Sequence, residues 1–156
     1  MFNVLQFREL IVKSTLTDLM LYSEVAEELL IFTCAVESDG GTYLKQTVGR
    51  ALGIYQMEPE TYNDIWQNYI NNNGSLSLRI LSNFNVSRMP FEDRMIYDLR
   101  FATLMARIHY YRAIEPLPNS INEDTLWEYY KRHYNTVLGK ATKEESIKKY
   151  HDFIYR

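Results

Sequence analysis

Glu37 follows the apolar stretch Leu29 to Val36 and stands immediately before Ser38-Asp39-Gly40-Gly41. A carboxyl at the end of an apolar helix, facing a glycine-rich loop, is partly desolvated, and burial disfavours its charged form. Such an acid holds its proton near neutral pH and can donate it to a leaving glycosidic oxygen. Taken alone the arrangement is unspecific, because many helices end in Glu. Other reactive groups are few. Cys34, the single cysteine, lies inside the apolar run and reads as a buried small hydrophobe, which excludes an internal disulfide. His109, His133 and His151 lack any ligand spacing of the HExxH kind, so neither a metal nor another cofactor is expected.

Further along, the chain reads Ala51-Leu52-Gly53-Ile54-Tyr55-Gln56-Met57-Glu58-Pro59-Glu60-Thr61. Near the C-terminus comes Trp127-Glu128-Tyr129-Tyr130-Lys131-Arg132-His133-Tyr134-Asn135-Thr136-Val137-Leu138-Gly139. With Glu37-Ser38, these runs resemble the three motifs of the soluble lytic transglycosylase and goose-type lysozyme superfamily, in the same order. The family has Glu-Ser near a helix end, then Gly-Leu-Met-Gln with Pro-x-Thr opening the next helix, then Tyr-Asn-x-Gly. The resemblance implies a lysozyme-like fold, with peptidoglycan glycan strands as the partner. It makes Glu37 the catalytic acid and Gln56 a groove residue that hydrogen-bonds substrate. Thr47 falls where many members carry a Ser that holds an N-acetyl group. Tyr134, followed by Asn135, matches the cleft tyrosine that orients the acid or the sugar. Tyr55 and Glu58 stand at groove positions where Met is usual, and Gly139 comes two residues later than the motif has it.

The resemblance further implies cleavage of the bond between N-acetylmuramic acid and N-acetylglucosamine, with a 1,6-anhydro product, by a single Glu. Glycosidases with two carboxylates need a second acidic group, and the candidates are Asp39 and Glu58. A lysozyme-type hydrolase of the same fold is therefore the alternative, and a non-catalytic wall-binding or virion protein is the rival from another class. Small phage-encoded members are similar to this chain as a whole. Other virion proteins are then expected as further partners, either in a virion or among lysis enzymes that leave the host cytoplasm to act on the periplasmic wall. The start Met1-Phe2-Asn3-Val4-Leu5-Gln6-Phe7-Arg8-Glu9 has no basic and apolar regions of a signal peptide, which agrees with that expectation.

The elements that must position these groups read as mostly helix. Apolar spacing predicts helices over 4–13, 16–22 and 24–37, with Thr15 capping the second. Glycines at 40, 41, 49 and 53 predict an irregular loop or small hairpin at 39–56. Pro59 opens a helix to about residue 71, followed by a short segment at about 76–84. Pro90 opens a long helix, about 91–113, whose face of Met95, Leu99, Ala102, Ala106 and His109 makes it the candidate central helix. Asn122 and Thr142 cap the last two, about 123–134 and 143–155. The expected architecture is a single mainly α domain over 1–156, α+β with minimal β, with about seven helices around a central buried one.

At 156 residues and 46% hydrophobic the chain can bury a real core. Its aromatic fraction, with 13 Tyr among the residues, suits sugar-binding grooves as well as half-buried packing. A net charge of −3 without a basic patch argues against nucleic-acid binding. Lys143, Lys148 and Lys149, interrupted by Glu144 and Glu145, read as a solvated helix face. No uncharged run is long enough to span a membrane.

Overall fold

The computed structural model describes residues 1–136 and 139–156. Among these the chain is mainly helical, and strand pairing is reduced to isolated bridges. Helix α1 covers 4–18 without interruption. Asn3 caps it by accepting the Gln6 amide at 3.1 Å, and the helix widens into a π-helical stretch over Phe7–Lys13 before closing as Ser14–Asp18. The expected break at Thr15 does not occur. Thr15 is fully buried inside the helix, where its hydroxyl accepts from Arg100 at 3.4 Å instead of capping a helix start. The turn out of α1 comes later, at Met20, which takes φ 59°.

Helix α2, Glu24–Ser38, starts at Ser23, whose hydroxyl accepts the Ala26 amide at 3.1 Å. Its apolar residues run round most of its circumference, and everything from Leu29 to Val36 is buried. It ends at Asp39 in the left-handed region, φ 50°. The segment that follows is an irregular hairpin held by antiparallel bridges from Leu52 to Lys45 and to Met57. Gly53, at φ +75°, packs against the backbone of Met95, where an added Cβ would fall 2.3 Å from the Met95 carbonyl oxygen. Only glycine fits there.

Pro59 occupies the first turn of α3, Pro59–Asn68, which gives way to one 3₁₀ turn at Ile70–Asn72. Asn73 caps α4, Gly74–Asn83. The single long helix expected over 91–113 is two, α5 at Arg94–Tyr97 and α6 at Leu99–Tyr111. They part at Asp98, whose backbone is extended and whose carboxylate accepts the Phe101 amide at 2.9 Å. A short polar side chain that caps the following turn competes with helix continuation, and here it wins. Asn122 and Thr125 form a capping box for α7, Glu123–Tyr130, which runs on through a π turn over Lys131–Asn135. Thr142 caps α8, Lys143–Ile154.

The centre is shared by α2 and α6, both buried along most of their lengths and joined by a 2.7 Å hydrogen bond between the hydroxyls of Thr33 and Tyr110. Helix α8 packs along α2. Its Tyr150 donates to Glu28 at 2.6 Å and lays its ring 5.2 Å from that of Phe32, which fixes the register of the two helices. No helix among the described residues is long and apolar enough to cross a membrane.

Candidate functional site

Glu37 is the penultimate residue of α2 and is partly buried. Ser38, beside it, is completely buried and ties the helix end to the hairpin. Its hydroxyl donates to the Ile54 carbonyl at 2.7 Å and accepts the Gly41 amide at 3.0 Å. The Glu-Ser pair thus has a local logic: one side chain anchors the loop and the other is left to face the opening beside it.

From α7, the Tyr130 hydroxyl donates to Glu37 Oε1 at 2.6 Å. Burial pushes the Glu37 carboxyl up from its usual 4.5 to about 7, although the Tyr130 hydrogen bond, the Lys149 ammonium, the Asn135 side chain and Lys131 pull it down. At neutral pH both protonation states are therefore populated. That is the condition under which one group gives up a proton and then takes one back.

Two cavities meet at this carboxyl. The larger, about 630 Å³, is walled by Glu37, Gln46, Gln56, Glu58, Tyr130, Tyr134, Asn135 and Lys149, among others. The smaller, about 280 Å³, is bounded by Tyr43, Lys45, Thr47 and Val48, and shares Glu37, Gln46 and Gln56 with the first. Glu37 and the two glutamines are common to both walls.

The sequence-predicted residues are partly gathered here. Gln56 takes a left-handed backbone, φ 46°, and its side-chain nitrogen donates to the Gly53 carbonyl at 2.8 Å, so one end of its amide braces the hairpin. Glu58 is exposed on the wall of the larger cavity; it precedes Pro59 and makes no side-chain cap to α3. Thr47 is exposed and borders only the smaller cavity. Asn135 borders the larger one, its Oδ1 accepting from Lys131 at 2.7 Å. Lys131 also donates to the Gly139 carbonyl at 2.9 Å, bracing the end of the Tyr-Asn run, of which Val137 and Leu138 lie outside the described residues.

Two expectations need correction, and one lysine has a role that the sequence did not show. Tyr55 is 1% exposed and its hydroxyl pairs with Thr103 at 3.2 Å, so its side chain belongs to the core and not to the groove. Tyr134 borders the cavity but does not hold the acid: its hydroxyl donates to the Tyr55 carbonyl at 2.7 Å. Tyr130, one turn earlier on the same face, holds it instead, and the two rings stack with centroids 6.1 Å apart. Lys149 is exposed, as are Lys143 and Lys148, in keeping with a solvated face, but it also reaches back to the end of α2. It donates to the Val36 carbonyl at 3.1 Å and pairs with Asp39 at 3.1 Å, beside the acid.

Sequence reading thus missed Tyr130, Lys131, Lys149 and Gln46. The spacing of Tyr130 and Tyr134, four apart, carried a signal for the first of these. Among the described residues no group of three or more His, Cys, Asp or Glu side chains could hold a metal ion. Compared with protein-family models, curated proteins and solved structures, the chain has no match.

Proposed function

We propose that the chain is a peptidoglycan lytic transglycosylase of lysozyme-like fold that cleaves the β-1,4 bond between N-acetylmuramic acid and N-acetylglucosamine, with Glu37 as its only acid–base group. One observation carries the reading: a carboxyl raised to about 7 stands where two cavities adjoin, as a general acid for a chain-like substrate must. Glu37 protonates the glycosidic oxygen as the bond to the muramic acid C1 breaks. The resulting carboxylate, beside the oxocarbenium-like centre, then takes the proton of the C6 hydroxyl, whose oxygen closes on C1 to form the 1,6-anhydro ring. No water is consumed, and Glu37 ends as it began, protonated. A phage virion-associated or lysis enzyme is the setting this reading favours.

A second reading, a lysozyme-type hydrolase, has one observation in its favour: Glu58 is exposed on the wall of the same cavity as Glu37 and is free of any capping bond to α3. Asp39 is a weaker second carboxylate, since it is engaged by Lys149.

Digestion of purified peptidoglycan followed by mass spectrometry separates the readings. Transglycosylation gives muropeptides with 1,6-anhydro ends, lighter by one water than hydrolysis products. A spectrum dominated by reducing ends would leave the hydrolase standing. No products from walls of several types would turn the assignment toward a non-catalytic wall-binding or virion protein.

A further inference from the structure

Lys149 reaches across from α8 to the end of the helix that carries Glu37. Its ammonium donates to the Val36 carbonyl and pairs with the Asp39 carboxylate, both at 3.1 Å, so it is anchored on the residue just before Glu37 and on the one just past the helix end. Val36 is among the last four residues of α2, whose carbonyls have no partner within the helix and where the helix dipole concentrates negative charge. A cation there satisfies an orphan acceptor and offsets that charge. The neighbouring Tyr150 locks α8 onto α2 through Glu28 and Phe32, so Lys149 has a fixed place despite a side chain that is 45% exposed.

We propose that Lys149 is a positioning residue for the acid: it clamps the C-terminal turn of α2 and supplies the positive charge that steadies the Glu37 carboxylate left after proton donation. Asp39 acts in opposition, drawing part of that charge away from Glu37. The proposal rests on Glu37 being the general acid, but its geometry does not.

The groups that face Glu37 come from several elements. Helix α7 and its π turn bring the Tyr130 hydroxyl, Lys131 and Asn135. Tyr134 and Tyr110 lie behind, with hydroxyls that burial keeps protonated. Across the cavity stand Glu58, Lys140 and Glu145. Of the two cations that pull the Glu37 carboxyl down, Lys149 acts more strongly than Lys131. Lys131 is occupied by Asn135 and by the carbonyls of Gly139 and Ala141.

The test reads the carboxyl directly, by ¹³C NMR titration of Glu37 in the intact protein without substrate, so that it does not depend on any activity. In Lys149→Met the Glu37 midpoint moves to higher pH, and in Lys149→Arg it returns toward the wild-type position. Lys148→Met, which removes an exposed cation paired with Asp152, leaves it in place. Asp39→Asn moves the midpoint the other way, to lower pH, and is structurally mild because Asn tolerates the left-handed backbone at that position. This variant keeps the proposal open to test should Lys149→Met fold poorly. With glycan-cleaving activity in hand, the upper pH limit of kcat/KM rises in Lys149→Met while kcat falls roughly tenfold. That loss is smaller than the roughly 10²–10³ of a donor touching the transition state, because Lys149 acts through Glu37. Unchanged Glu37 midpoints in folded Lys149→Met and Asp39→Asn overturn the proposal. An inactive wild type with shifted midpoints overturns only the assigned reaction.

Discussion

The Tyr130 hydroxyl lies 2.6 Å from Oε1 of Glu37, with its ring buried edge-on against Phe32 on the same helix that carries the acid. The acid is thus held from the side by a donor that cannot swing away. A hydroxyl that donates to a carboxylate stabilises the charged form, opposing the burial that raises the Glu37 pKa. Tyr130→Phe removes this donor and keeps the packing. If the chain cleaves glycan as proposed, the upper pH limit of cleavage should then move to higher pH, with a loss of stability of about 1 kcal/mol. A pH–rate profile superimposable on wild type would show that the hydrogen bond has no part in tuning the acid.

Glu37→Gln keeps size and removes the transferable proton. On the proposed reading, cleavage should fall by roughly 10²–10⁴-fold. Stability should respond in the opposite sense. The folded-state pKa of about 7 lies above the usual 4.5, so the native state holds the proton more tightly than the unfolded chain. Wild-type stability is then undiminished by Glu37 below pH 4.5 and declines as pH rises through 7, by at most about 3 kcal/mol. The Gln variant should lack this decline, and urea melts across pH 4 to 8 measure it. Parallel stability curves for the two proteins would mean that Glu37 is not desolvated in solution.

Tyr134→Phe tests whether this tyrosine serves the acid or the hairpin. Its hydroxyl donates to the Tyr55 carbonyl, one residue before Gln56, so its loss should destabilise the fold by about 1 kcal/mol and raise KM more than it lowers kcat. A collapse of kcat with KM unchanged would place Tyr134 at the reacting centre after all.

Gly53→Ala should be costly although it adds a single methyl. The backbone at φ +75° disfavours any side chain, and the new Cβ would press on the Met95 carbonyl. A loss of about 2 kcal/mol or more is expected, with weakened substrate binding as Gln56 shifts with the hairpin. Thermal melts decide this, and a variant as stable as wild type would mean that the hairpin does not rest on α5 as described.

Glu58→Ala distinguishes the two reactions from the protein side. If Glu37 works alone, the variant keeps anhydro products and shows a changed KM. Turnover abolished by this substitution, in a protein with an unchanged melt, would make Glu58 the residue that activates water.

What the sequence determined by itself is local. Pro59, Asn122 and Thr142 open their helices because a proline at the first turn, or an oxygen that accepts an early amide, acts within a few residues. The apolar run before Glu37, and the glycines after it, likewise fixed where a carboxyl would meet a loop. Even locally, competition misled: Asp98 breaks the expected long helix because its side chain caps the next turn, and Thr15 is buried inside a helix where it was expected to cap. The partners of the acid were decided only by tertiary structure. Tyr130 and Tyr134 have the same chemistry and lie on one face, and the rotation of α7 against α2 determines which of them reaches Glu37. Lys149 sits in a charged run that reads as solvated, yet it lies 113 residues from the Val36 carbonyl it binds. No periodicity spans that distance. It is the packing of α8 along α2, fixed by Tyr150, Glu28 and Phe32, that turns a surface lysine into a neighbour of the acid.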